Sequence, residues 1–264
     1  MEKAIYITKI QDLSLVSKEY QRVYFGNEFC ERLIPDSQDL KSVINFSRER
    51  RISLTYVTPF FTEFGLRLVG EAFKQLEKSG FDAEVVINDW GALQLLKGRN
   101  FKILLGRILT KQKRDPRIQD LMDSLTPAQK EYYQGSNLDS PGFLEFLEEN
   151  RIERVELDNL IQGIFIPPLK GKIKASLYYP YIYVSTARRC EETSSQRTEI
   201  NHVPAVLPCD IICRRSEDYF IMKSKDMKKE MILKGNTIFC HSLDFKNNLP
   251  DGVDRLVYMP KIPM

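Results

Sequence analysis

A chain of 264 residues, 42% hydrophobic and 28% charged, is long enough to bury a large core, which excludes an intrinsically disordered protein. Its 39 basic and 36 acidic side chains leave a net charge of +3 spread along the whole length, so bulk electrostatics demand no nucleic-acid partner. Only two histidines are present, His202 and His241, which leaves the common hydrolase triads and multi-histidine zinc sites short of their usual groups.

Residues 1–13 carry Glu2, Lys3, Lys9 and Asp12 and lack the apolar core of a signal peptide. Nowhere do about 18 apolar residues run together, so the expectation is a soluble, cytoplasmic protein with no membrane span. From Arg22 to about Asn159, short apolar runs alternate with helical patterns, the signature of βα units and a parallel sheet. Strands are predicted at 23–25, 52–58, 83–88, 102–105 and 155–157, each apolar on both faces.

Between them, Asp36 can cap a helix whose Leu40, Val43, Ile44 and Ser47 share a face. Thr62 can cap another presenting Gly65, Leu68, Val69, Ala72, Phe73 and Leu76, which Gly80 stops. Thr126-Pro127-Ala128-Gln129 has the form of a capping box, and Ser140-Pro141 opens a segment running through Phe143, Leu144 and Leu147. Beyond Asn159 the text changes to strands at 177–186, 218–224, 230–239 and 254–259 with few helices between them. Lys234-Gly235-Asn236 offers a hairpin turn. The predicted architecture is α/β: a TIM-barrel-like βα repeat with a more β-rich C-terminal part, one domain over 1–264, although eight full βα units cannot be counted.

Five cysteines, an odd number, in a reducing compartment point to metal binding or redox chemistry before disulfides. Cys209-Asp210-Ile211-Ile212-Cys213 suits a loop or a single helical turn that brings both thiols to one side, and Pro208 favours such an opening. Cys30 follows the strand at 23–25 and so should lie at the C-terminal mouth of the sheet, where α/β folds build their sites. Cys190 ends another strand behind Arg188 and Arg189, and Arg214 and Arg215 follow Cys213. Such cations stabilise thiolates, or they belong to a solvated basic surface. Free cysteines are also commonly small buried apolar residues, and spacing alone leaves the two readings open. Cys240, within 237–240 and without charged flanks, is read as structural.

The segments Val23-Tyr24-Phe25-Gly26-Asn27-Glu28-Phe29-Cys30 and Tyr183-Val184-Ser185-Thr186-Ala187-Arg188-Arg189-Cys190, followed by Cys209 and Cys213, resemble the collagenase-like peptidase family and within it the UbiV-like branch. Met231-Ile232-Leu233-Lys234-Gly235 resembles the strand after the cysteines, and Cys240 falls outside the pattern. The resemblance implies a 4Fe-4S cluster on Cys30, Cys190, Cys209 and Cys213, with a cluster-binding segment at 186–215. It further implies oxygen-independent, prephenate-linked hydroxylation of a quinone precursor or related substrate, as a subunit paired with a UbiU-like family member. Larger relatives act on RNA bases, and others carry only a peptidase label. The 18 residues between Cys190 and Cys209 make a longer gap than the branch has, which bears on substrate more than on ligation.

Two other readings stand beside this one: four thiolates also suit zinc in a non-catalytic interaction module, and the family label itself suggests a peptidase. Candidate substrate groups follow the strands. Asn88 and Asp89 follow the run at 83–87, with Asp89 better suited to cap the helix from Trp90 to Leu96, and Glu156 and Asp158 end the strand at 155–157, where they either point inward or cap at the surface. The cationic stretch 107–117, with Lys111, Lys113 and Arg114, could grip a small anionic substrate or RNA phosphates, or be a solvated loop.

Overall fold

A computed structural model describes residues 1–167, 173–190, 192, 209, 211–223, 225, 228–245 and 249–264. Its centre is a closed barrel of eight strands. Six of them match the predicted runs: β2 (Arg22–Gly26), β3 (Ser53–Val57), β4 (Ala83–Ile87), β5 (Lys102–Leu105), β6 (Ile152–Asp158) and β12 (Val253–Tyr258). The circle is completed by β1 (Glu2–Ile7) and β7 (Lys174–Tyr179), every neighbouring pair being parallel. Such strands are apolar on both faces because one face meets the helices and the other fills the barrel. Ile5, Phe25, Leu54, Val85, Leu105 and Leu157 belong to the outer core, while Ala4, Tyr24, Val86, Leu104 and Val257 pack inside.

The helical starts form where local chemistry places them. Asp36 accepts from the backbone of Gln38 and Asp39 at the head of α1 (Ser37–Arg50), and Thr62 accepts from Phe64 at the head of α2 (Glu63–Ser79). Gly80 ends α2 in a left-handed conformation (φ 63°), and the Thr126–Gln129 capping box is complete. One member of the expected stripe departs: Leu68 is 38% exposed, because Val69, Ala72, Phe73 and Leu76 already fill the buried face and Leu68 falls on its flank.

The C-terminal part differs from the expectation in its division. The run at 177–186 is two strands, β7 in the barrel and β8 (Tyr181–Thr186) outside it, separated by Pro180, which has no N–H to continue a ladder. The run at 230–239 is a hairpin, β10 (Met231–Lys234) and β11 (Thr237–His241), turning at Gly235-Asn236, and β9 (Phe220–Met222) is short. With β8 these form a second, antiparallel sheet in the order β8-β11-β10-β9. The chain returns from this sheet to β12 and closes the barrel against β1.

Both barrel ends are plugged by ion pairs. Arg22 and Arg255 each meet Glu2 and Glu84 at the N-terminal end. At the C-terminal end the fully buried Arg107 joins Glu28 and Asp158, and Arg114 joins Asp158 at 2.6 Å. Among the described residues no helix is long and apolar enough to cross a membrane.

Candidate functional site

With the barrel mouth closed by Arg107, the site lies beside it, between the loop after β2 and the antiparallel sheet. Gly26 starts that loop at φ 136°, where an added Cβ would stand 2.1 Å from the Val57 carbonyl oxygen, so glycine is required. The buried Asn27 side chain then accepts from the backbone N–H groups of both Phe29 and Cys30 at 2.9 Å. Glu28 turns inward to Arg107, and Phe29 packs against Tyr183 and Phe239. Cys30, two residues on, faces the other way. Glu31 anchors the far side of the loop by accepting from the N–H of Thr62 (2.7 Å) and of Gly65 (3.2 Å) at the head of α2.

Cys190 follows the end of β8, and the neighbouring Arg188 side chain donates to the Phe61 carbonyl at 3.5 Å. Cys209 and Cys213 do not share a helical turn. The one-turn helix covers Ile212–Arg215, and Ile211 before it is left-handed (φ 55°), so the pair is carried on a tight bend with the Ile211 N–H directed at Cys209 Sγ, 3.4 Å away. Pro208 and Asp210 lie outside the described residues. Arg214 fastens this bend to α1 through Asp39 at 3.0 Å.

All four cysteines line one cavity of about 70 Å³, walled by Phe29, Phe61 and Met264 and edged by Arg188 and Arg189. Burial, reinforced by the thiols of Cys209 and Cys190, pushes the Cys30 thiol up to about 11. Burial pushes Cys213 up to about 12, with Glu192 and the other three thiols adding to it. Without a counter-charge these groups stay protonated. A bound metal would supply that charge, so the donor set, four sulfurs around one partly apolar space, is chemically suited to a thiolate-ligated centre. Among the described residues no three His, Cys, Asp or Glu side chains are arranged to hold one metal ion. Cys240 lies elsewhere, buried in β11 with Leu160, Ile161 and Ile182.

No family profile matches the chain, and no curated protein matches it. Solved structures do resemble it. The U32 peptidase Mk0906 is 8% identical, with a TM-score of 0.46 over 99% of this chain and 93% of that one.

The other sequence candidates lie outside the cavity lining. Asn88 is buried, donating to the Thr58 carbonyl and accepting from the Ile108 N–H. Asp89 caps α3 (Trp90–Leu96) through the Gly91 N–H at 2.7 Å. Glu156 sits inside the barrel, accepting from Tyr24 and Ser176, and burial raises it to about 7. Asp158 and Arg114 are partners in the buried network, Lys113 stands over the Tyr132 ring, and Lys111 is exposed. The cationic stretch is therefore divided: Arg107 and Arg114 turn inward because Glu28 and Asp158 wait for them.

Sequence reasoning missed Asn27, Glu31 and Asn236 as supports of the cysteine segments. Asn27 and Glu31 lie inside or beside the recognised cysteine motif, and that adjacency is the signal that could have found them.

Proposed function

We propose that the chain is an iron-sulfur protein of the collagenase-like peptidase family, UbiV-like branch. In this reading Cys30, Cys190, Cys209 and Cys213 ligate a 4Fe-4S cluster. The observation that supports it is the meeting of exactly those four cysteines of the motif around one cavity while the fifth, Cys240, packs in a separate core. When bound, the cluster supplies one-electron transfer. The chain's own residues do the rest. Asn27 and Glu31 hold the Cys30 backbone in place, Phe29 and Met264 keep water from the thiols, and Arg188 and Arg189 offset negative charge at the rim.

The protein then serves as a subunit in oxygen-independent hydroxylation of a quinone precursor or related substrate, paired with a UbiU-like partner. Anaerobic purification with iron, sulfide and zinc analysis tests the reading. Iron with matching sulfide and a brown chromophore supports it, whereas one equivalent of zinc without iron supports the interaction module. Peptide hydrolysis that survives loss of all four cysteines would favour the peptidase.

A further inference from the structure

Cys30 belongs to the barrel and Cys190 to the antiparallel sheet, so a shared centre requires these two bodies of structure to be held in register. The turn between β10 and β11 stands where they meet. The Asn236 side chain, 8% exposed, donates through Nδ2 to two carbonyl oxygens at once: that of Phe29 at 2.6 Å and that of Ala187 at 2.5 Å. Phe29 directly precedes Cys30, and Ala187 lies just before Arg188, Arg189 and Cys190. The Ala187 N–H returns a bond to the Asn236 carbonyl at 3.1 Å, and Asn236 Oδ1 accepts from the Thr237 hydroxyl, which fixes the amide's orientation.

The preceding residue serves the later pair of cysteines. Gly235 is left-handed (φ 61°) and lies so close to the bend that an added Cβ would stand 3.7 Å from Cys213 Sγ and 2.3 Å from Met264 Cε. Its N–H donates to Glu192 at 2.8 Å. A primary amide can give its two N–H groups to two carbonyls while its oxygen accepts a third bond. Its isostere aspartate would instead set a carboxylate oxygen against both.

We infer that Asn236 is a positioning residue for the cysteine site, an amide clasp that joins the Cys30 loop of the barrel to the Cys190 end of the sheet. Its two bonds go to backbone carbonyls beside two thiols, whose separation it sets. The inference deepens the cluster reading and rests on it for the identity of the metal, though the clasp itself concerns the spacing of the thiols.

The test has two arms on the full chain, comparing wild type with Asn236→Asp and Asn236→Ala. In the first, each protein is reconstituted anaerobically with iron and sulfide, and cluster loss to a chelator and the electron paramagnetic resonance of the reduced cluster are recorded. Asn236→Ala is expected to shed iron about tenfold faster, in the range of outer-shell changes, and Asn236→Asp faster still, both with altered resonance positions. In the second arm the metal-free chains are treated with dibromobimane and the Cys30–Cys190 cross-link is quantified by mass spectrometry. The yield is expected to fall in both variants, and most in the aspartate, while the metal-free Asn236→Ala chain keeps a cooperative thermal transition.

Wild type without iron but with a cross-link that depends on Asn236 would refute the cluster and keep the clasp. Asn236→Asp with wild-type cross-linking would overturn the clasp whatever the iron content. Cross-linking lost only in step with a collapsed thermal midpoint would also overturn it, by making Asn236 a general structural residue.

Discussion

Glu28 and Cys30 are two residues apart and belong to opposite designs. Glu28 points into the barrel mouth, where Arg107, Asp158 and Arg114 complete a buried network in which Arg107 makes bonds to Glu28, Asp158 and the Tyr181 carbonyl. Burial opposes the charge of Arg107, yet Glu28 and Asp158 override it and hold the guanidinium ionised well above its ordinary range. Cys30 points into a cavity with three more thiols, where burial lifts its pKa and other thiols add to the effect. A set of ionisable groups that satisfy one another stabilises a fold. The four cysteines instead share one cavity, where burial holds the thiols of Cys30 and Cys213 protonated.

That contrast can be broken from either side. The largest effect is expected at the cavity: Cys213→Ser or Cys209→Ser should remove most bound iron, and Cys240→Ser should leave the iron content at the wild-type level, as read by metal analysis of anaerobic protein. Equal loss from Cys240→Ser would place it in the ligand set.

At the barrel mouth the expected loss is stability instead. Arg107→Met leaves Glu28 and Asp158 buried beside one remaining cation, at a cost of about 3–5 kcal/mol in urea denaturation. A change below about 1 kcal/mol would mean that water enters the mouth and the network is not closed.

Deeper in the barrel, burial raises Glu156 from 4.5 to about 7 despite the attraction of Arg255 and Arg154, and one of its oxygens has no hydrogen-bond partner. The folded chain therefore holds this proton more tightly than the unfolded chain does. The resulting stabilisation is complete below pH 4.5 and is lost as pH rises through about 7. Over that window the wild type should lose on the order of 3 kcal/mol that Glu156→Gln does not lose. Parallel pH profiles for the two proteins would contradict the assignment. The smallest effect is expected at Leu68, on the exposed flank of α2, where Leu68→Glu should alter stability by no more than about 0.5 kcal/mol.

The helix starts at Asp36, Thr62 and Thr126 could be read from the chain because a cap is a bond between a side chain and backbone a few residues away. Barrel closure could not be read, since it depends on β1 and β12, neighbours in space from opposite ends of the chain. The break between β7 and β8 has a local mark in Pro180, which a single run from Leu177 to Thr186 passes over, but which sheet each half joins depends on the tertiary setting.

At the site, residue type and flanking motif nominated the four cysteines, whose gathering then depended on partners far away in sequence. Asn236 meets Phe29 and Ala187 across such distances, and nothing in Lys234-Gly235-Asn236 beyond a turn announces it. The inward direction of Arg107 and Arg114 was equally illegible, because the carboxylates that draw them in come from other strands.

The account turns on what the four thiols hold, and anaerobic iron and acid-labile sulfide determination on the purified chain measures that directly. The account expects about four irons and four sulfides per chain, lost together in Cys213→Ser. Protein that takes up neither, or that carries zinc alone, would contradict it.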